Sequence, residues 1–207
     1  MLRDISIVVS PETPPWPGDT PFDCRWTSRI ADGGSVNLTA IGGSPHVGTH
    51  ADAPLHVADG APASEALPLA PFLGRAIVVA VEDASEEVTI EAIERRAPRR
   101  RIERLLLRTG RSIAGGSFPE SWPAITPECA RELLDRGLKL LGVDAPSVDA
   151  RESKALEVHH TLFGGGAFLL ENLDLREIPD GEYELVALPQ RVAGLDAAPA
   201  RATLRTI

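Results

Sequence analysis

The sequence is poor in cysteine, with only Cys24 and Cys129 in 207 residues. More than a hundred positions separate the two, so they lack the short spacing of a structural zinc site. A disulfide between them stays open, but reduced thiols are the simpler interpretation. The N-terminus carries Arg3 and Asp4 with no long apolar run behind them, so no signal peptide is predicted. These absences favour a cytoplasmic protein.

Long apolar runs and an excess of positive charge are also missing. No window reaches the roughly 18 apolar residues that a membrane-spanning helix requires. Lys and Arg number 21 against 30 Asp and Glu, which gives a formal net charge of −9. An acidic chain is a poor partner for the phosphate backbone of nucleic acid or for an anionic membrane. We therefore expect a small-molecule partner, with no nucleic acid and no membrane.

The chain is expected to form a single domain over residues 1–207, large enough to bury a substantial core. Pro and Gly, 18 each, predict many turns. Apolar and β-branched runs predict strands at 2–9, 36–41, 76–81, 105–107, 138–143, 167–170, 183–188 and 202–207. Helices are predicted at 89–97 and 127–136, the second with Thr126 as N-cap and Gly137 after its end. The order strand, helix, strand predicts an α/β fold.

Histidine is confined to two short clusters. The sequence contains five histidines: three lie within residues 46–56, and the other two are His159 and His160. Scattered surface histidines would not show this distribution. A metal site assembled from two distant segments would, so we predict such a site.

The first cluster offers two imidazoles and a carboxylate from His46, His50 and Asp52. Pro45 and Gly48 argue against a helix here, so the segment is predicted to be extended or looped. His50 and Asp52 then point to one face, because side chains alternate along a strand, and a turn at Gly48 can return His46 to it. This ligand mix suits zinc or manganese.

The second cluster can supply further ligands. The candidates are His159 or His160, between which the sequence alone does not choose, together with Glu157 and Glu171. Glu171 ends an apolar strand, where α/β folds often place functional groups. A carboxylate that bridges two ions would make the site binuclear.

Several other features receive structural interpretations. Asp144 and Asp149 are interpreted as turn and cap residues, and the arginine run from Arg95 to Arg104 as a solvated surface. The glycine run 164–166 is interpreted as a flexible turn and not a phosphate loop, because no Lys-Ser or Lys-Thr pair follows it. Trp16 lies in a stiff loop with five prolines, and it either caps the edge of the core or lines a pocket. A serine esterase is disfavoured, since no Gly-x-Ser-x-Gly elbow occurs.

Residues 46–56 match the pattern HxGTHxDxPxH, and on this motif the chain resembles the cyclase-like metal-dependent hydrolases. The segments 16–21, 72–75, 142–149 and 159–173 make it most similar to the bacterial kynurenine formamidases. The resemblance runs nearly end to end. It implies an α/β swivelling domain with a mixed, barrel-like curled sheet and flanking helices, usually a homodimer.

The resemblance also implies a binuclear zinc site with manganese as an alternative. By position, His46, His50 and Asp52 would bind one zinc ion. Asp52 and Glu171 would bridge to a second ion, which would also take His159. No position departs from the family pattern, although the preference for His159 over His160 rests on spacing alone.

The implied reaction is the hydrolysis of N-formyl-L-kynurenine to L-kynurenine and formate in the kynurenine pathway of tryptophan degradation. His56 would be the general acid and base, and Trp16 would contact the aromatic substrate. One alternative is another hydrolase of the superfamily, such as one that opens isatin. A pocket without Trp16 near the metal ligands would favour it. The other is a non-catalytic metal-binding module.

Overall fold

The computed structural model describes residues 1–82, 84, 86–97 and 101–207. The strands in chain order are β1 (Leu2–Asp4), β2 (Asp23–Ser28), β3 (Leu38–Gly42), β4 (His50–Asp52), β5 (Leu73–Ala80), β6 (Glu87–Val88), β7 (Arg104–Arg108), β8 (Ala124–Ile125), β9 (Leu140–Val143), β10 (Phe168–Leu170), β11 (Gly181–Val186), β12 (Ala197–Pro199) and β13 (Thr203–Thr206). The α-helices are α1 (Ile90–Glu94), α2 (Pro127–Asp135) and α3 (Glu157–Gly164).

A curled seven-stranded sheet with the order β1-β13-β11-β5-β7-β9-β10 organises the fold. The β1–β13, β13–β11 and β11–β5 pairs are antiparallel, whereas β5–β7, β7–β9 and β9–β10 are parallel. The predicted α/β fold with a mixed, curled sheet is therefore confirmed. The parallel half is the part that positions the site, because β10 leads directly into Glu171.

Apolar side chains cover both faces of the sheet, as the alternation along β7 shows. Leu105 and Leu107 pack into the cluster that contains the helices, whereas Leu106 packs into the cluster on the opposite face. All three side chains are fully buried. A continuous apolar run is expected for a strand of a parallel sheet that is covered on both faces.

The segment predicted as a half-buried strand at 36–41 is instead part of an exposed ribbon. β3 pairs only with β2 among the described residues, apart from the main sheet. Trp26, Leu38 and Ile41 are 54%, 53% and 73% exposed. The prediction of half-burial was wrong because alternation identifies an extended segment without identifying what covers its apolar side.

The helix predicted at 127–136 is confirmed within one residue. Thr126 Oγ1 accepts a hydrogen bond from the amide of Cys129 at 3.1 Å, and Gly137 follows with φ of +91°. The left-handed conformation is one that glycine adopts without strain. By contrast, α3 at Glu157–Gly164, which carries both histidines of the second cluster, was not predicted from the sequence.

The interpretation of Arg95–Arg104 as a solvated surface was wrong for Arg104. Its side chain is buried, and its guanidinium donates hydrogen bonds to the carbonyl oxygens of Pro71 and Ala70 at 2.6 and 2.7 Å. Residues 98–100 of that run lie outside the described residues. Among the helices described, none has the length and apolar character needed to cross a membrane.

Candidate metal centre and pocket

A tight turn delivers the first histidine cluster into the core. Gly48 has φ of +79°, and a Cβ at this position would lie 2.4 Å from a methyl group of Val9. Only glycine suits such a turn. β4 follows, so His50 and Asp52 lie two residues apart on an extended strand, as predicted. Backbone hydrogen bonds join His50 and Glu171 in both directions, at 3.3 and 3.1 Å, and bring the end of β10 beside β4.

Three ligand-type atoms converge at the first cluster. His46 Nδ1 lies 3.1 Å from His50 Nε2, and these nitrogens lie 3.3 and 3.2 Å from Asp52 Oδ1. His50 and Asp52 are buried, and His46 is partly buried. The set forms one of three groups of described residues whose geometry could hold a metal ion.

His46 and His50 each use one ring nitrogen for a hydrogen bond outside this group of atoms, which leaves the lone pair of the other nitrogen pointing into it. His50 Nδ1 lies 2.9 Å from the carbonyl oxygen of Gly48, and His46 Nε2 lies 3.0 Å from Asp196 Oδ2. Both oxygens are acceptors, so these nitrogens carry the protons. Asp52 Oδ1 accepts no hydrogen bond from the described residues although it is buried. Three electron-rich atoms therefore face one another and require a positive charge between them, which a metal cation would supply.

A second set of ligand-type atoms lies on the other side of Asp52. His159 Nε2 lies 3.2 Å from Asp52 Oδ2 and 3.5 Å from Glu171 Oε1. Its other nitrogen lies 2.6 Å from Asp149 Oδ2, which directs the Nε2 lone pair at the two carboxylates. His160 is exposed and stands outside this cluster. The structure thus brings His159, not His160, together with the other candidates.

The ionisation of the cluster reflects its need for positive charge. Burial opposes protonation of His46, but the neighbouring carboxylates of Asp196 and Asp52 outweigh it and raise its pKa to about 10. For His159, burial is outweighed by Asp149 and Asp52, and its pKa is also raised to about 10. Without a metal ion, protons supply the charge that these carboxylates demand.

The two central carboxyl groups ionise differently. Burial and the charge of Asp52 raise the pKa of Glu171 to about 8. Burial also opposes ionisation of Asp52, but the neighbouring imidazoles of His50 and His159 hold its pKa well below the usual range. Asp52 is therefore the permanent anion at the centre of the cluster.

His56 lies beside both sets of ligand-type atoms but is more exposed than the residues that supply them. It ends the short 3-10 turn Pro54–His56, and its side chain is 29% exposed. Its ring lies 4.4 Å from the ring of His46 and 5.7 Å from that of His159, centroid to centroid. Burial lowers the pKa of His56, with Asp52 opposing and His46 reinforcing the shift. His56 belongs to both remaining groups that could hold a metal ion, one with His46 and Asp196 and one with Asp52 and His159.

A pocket of about 310 Å³ opens onto the cluster. Its lining includes His46, His56, His159 and Glu171, together with Trp16. Trp16 therefore lines a pocket and is partly exposed, which decides between the two interpretations of the proline-rich loop.

An aromatic wall holds Trp16 in this position. Its ring makes edge contacts with Phe118 and Trp122 at 5.5 and 5.7 Å. The indole nitrogen of Trp122 donates to the carbonyl oxygen of Asp149 at 2.9 Å. Because the Asp149 carboxylate binds His159, one short chain of contacts connects the tryptophan loop to the ligand cluster.

Sequence reasoning missed two acidic residues of the site. Asp149 was interpreted as a cap, and it does accept hydrogen bonds from the amides of Val158 and His159, but it also binds the His159 ring. Asp196 received no interpretation. It lies in no sequence motif. The pairing of β12 with β4 brings it to the site, and this contact between distant segments is not visible in the sequence.

The chain resembles known proteins in both its sequence and its fold. The Cyclase family model, described as "Putative cyclase", matches residues 3–150. A kynurenine formamidase of Bordetella petrii is 41% identical over 206 residues, covering 100% of this chain and 98% of that protein. A predicted metal-dependent hydrolase from Bacillus stearothermophilus superposes with a TM-score of 0.82 at 26% identity, covering 99% and 97% of the two chains.

Isatin hydrolase A from Labrenzia aggregata, bound to benzyl benzoate, has the same fold. It superposes with a TM-score of 0.81 at 24% identity, covering 99% of this chain and 93% of that one. The family model and the formamidase relative each match well over half of the chain. The chain therefore belongs to the cyclase family, which includes these kynurenine formamidases.

Proposed function

We propose that this amide hydrolase of the cyclase family converts N-formyl-L-kynurenine and water to L-kynurenine and formate in tryptophan degradation. The observation that carries the proposal is the pocket itself, whose lining includes both Trp16 and residues of the buried ligand cluster. An aromatic side chain in the same pocket as the reacting centre suits a substrate whose scissile amide is attached to an aryl ring. The formamidase relatives, 41% and 39% identical over the whole chain, support the same substrate.

The cluster is proposed to hold two zinc ions, with manganese as the alternative. His46, His50 and Asp52 would hold one ion, and Asp52, His159 and Glu171 the other, with Asp52 shared. Such ions, when bound, supply Lewis-acid charge that polarises a carbonyl group and acidifies water. The orphaned lone pair on buried Asp52 Oδ1 supports a cation at the first position.

His56 is proposed to move the proton. Water adds to the formyl carbon, the C–N bond breaks, and the amine leaves only after its nitrogen gains a proton. His56 can accept the proton from water and deliver it to that nitrogen, because its side chain lines the pocket and is partly open to solvent. Neutral imidazole is the form that accepts a proton, and burial favours that form here.

The pocket gives less support to the two alternatives, an isatin-opening hydrolase and a non-catalytic metal-binding module. An isatin-opening hydrolase would be favoured by a pocket without Trp16, but Trp16 lines the pocket. A non-catalytic metal-binding module would close the ligand shell, whereas here the candidate ligands face a pocket of about 310 Å³.

Metal content and substrate preference test the proposal in one preparation. We expect about two zinc ions per chain by mass spectrometry and rapid formate release from N-formyl-L-kynurenine, with slower or no opening of isatin. Removal of metal by a chelator should abolish formate release, and added Zn²⁺ should restore it. Faster turnover of isatin would favour the first alternative, and no turnover of either substrate by the metal-loaded protein would favour the second.

Replacing Trp16 tests the aromatic contact. For Trp16→Ala we expect KM for N-formyl-L-kynurenine to rise about tenfold, in line with the loss of one aromatic contact of about 1–1.5 kcal/mol. Metal content should not change, since Trp16 contacts none of the candidate ligands in the described ring contacts. Trp26→Ala is the matched control, because Trp26 lies on the exposed ribbon β2–β3 and is absent from the pocket lining, and it counts as a control only if its mass in solution equals that of the wild type. Equal effects of the two substitutions would argue against a substrate contact at Trp16.

A homodimer and a cytoplasmic location stay predictions. The ribbon β2–β3 is a candidate dimer contact, because Trp26, Leu38 and Ile41 expose large apolar side chains on neighbouring strands. A monomeric mass in sedimentation equilibrium at micromolar concentration would contradict the dimer.

A further inference from the structure

The Asp196 carboxylate contacts both a proposed metal ligand, His46, and the proposed acid and base, His56. Its Oδ2 atom lies 3.0 Å from His46 Nε2 and 3.3 Å from His56 Nδ1. One oxygen thus contacts a proposed metal ligand and the proposed acid and base. The rings of the two histidines lie 4.4 Å apart, so the three side chains form one compact group.

The backbone fixes Asp196 in this place. Its carbonyl oxygen accepts a hydrogen bond from the amide of Ala53 at 2.9 Å, just after the end of β4. Ala197, the next residue, pairs with Asp52 in the β12–β4 ribbon. The segment before it is held by Glu65, which accepts a hydrogen bond from the amide of Gly194 at 2.9 Å. The carboxylate is therefore supported from both sides.

A carboxylate oxygen accepts hydrogen bonds and donates none. The contact with Asp196 Oδ2 therefore places a proton on His46 Nε2 and another on His56 Nδ1. His46 is left with Nδ1 for a metal ion, and His56 is left with Nε2 for proton exchange in the pocket. A partner on the second nitrogen commonly fixes the tautomer of a functional histidine in this way.

We propose that Asp196 is a positioning residue that sets the tautomers of His46 and His56 together, so that Nε2 is the atom of His56 that exchanges the proton. This inference rests on the proposed function, since it assigns a role relative to the acid and base named there. Asp196 itself touches neither substrate nor metal ion in this role.

Asp196→Leu is the test variant. Its side chain keeps nearly the same size and shape but has no acceptor atom, so it can accept a hydrogen bond from neither imidazole. In the zinc-saturated protein we expect kcat to fall about 10–100-fold with KM nearly unchanged, and zinc affinity to fall by a similar factor. Glu65→Gln is the matched control for loop placement, because it loosens the same segment without facing either ring.

The ¹⁵N chemical shifts of the imidazoles give a readout that does not depend on turnover. Zinc-saturated wild-type protein and Glu65→Gln should show His56 protonated on Nδ1, and Asp196→Leu should show a shift toward the other tautomer. An unchanged His56 tautomer in Asp196→Leu would overturn the inference. Complete recovery of its kcat by excess Zn²⁺ would also overturn it, because Asp196 would then act on His46 alone. Absence of formamide hydrolysis in the wild type would reject the proposed function and leave the tautomer result to decide the inference.

Discussion

Asp52→Asn is expected to remove both metal occupancy and activity. Asp52 is fully buried, and its two oxygens face different partners: Oδ1 faces His46 and His50, and Oδ2 faces His159. An asparagine keeps one oxygen and replaces the other by an NH₂ group, which does not bind a cation. One of the two proposed ion positions therefore loses a ligand whichever way the amide is oriented.

The expected size of this effect follows from the charge that a metal ion contributes. Loss of several kcal/mol of transition-state stabilisation corresponds to a fall in kcat/KM on the order of 10³-fold or more. Metal content should fall from about two to one ion or fewer per chain by mass spectrometry. Asp59→Asn is the matched control, since it makes the same chemical change at an exposed position of the same segment. Full metal content and near-normal turnover in Asp52→Asn would reject the shared-ligand assignment.

His56→Ala is expected to lower kcat while metal ions remain bound. Positioned acid–base groups contribute about 10²–10⁴-fold, and the loss should appear in kcat because the proton moves during the chemical step. His56 is more exposed than His50 or His159 and faces the pocket, as a proton-exchanging group requires. Stopped-flow or steady-state formate release, paired with metal analysis of the same sample, measures both quantities.

His160→Ala is the matched control for this substitution. It also removes one imidazole, but His160 is exposed on α3 and outside the described ligand groups, so turnover should stay within a factor of about two. Full turnover of His56→Ala with zinc bound would reject the acid–base assignment. Loss of zinc from His56→Ala would instead make His56 a ligand, in keeping with its place in two of the groups that could hold an ion.

The contiguous half of the candidate site could be predicted from the sequence, because its chemistry is local. Residues 46–56 carry His and Asp as ligand types, and Gly and Pro at spacings that exclude a helix across His46 and His50. The turn at Gly48 and the common face of His50 and Asp52 follow from the same stretch. Strands of the main sheet could also be predicted, because a short, fully apolar run such as 105–107 is typical of a buried strand.

The remainder depended on contacts between distant segments. α3 begins after Leu156, which has φ of +45° and no side-chain cap of its own. Its first amides are satisfied by Asp149, several residues away and outside any local capping pattern. Asp196 is likewise brought to His46 only by the pairing of β12 with β4. No periodicity or spacing in the sequence encodes these partners.

The raised pKa values of His46 and His159 make the proposed site an ion exchanger. With both pKa values at about 10, the two imidazoles are protonated on both nitrogens and positively charged at neutral pH when no metal ion is present. Metal uptake must then expel those protons, so affinity increases as pH rises toward 10 and weakens in acid. Calorimetric titration with Zn²⁺ in buffers of different ionisation enthalpy would count the protons released. The same exchange would balance the charge of the buried carboxylates before a metal ion binds.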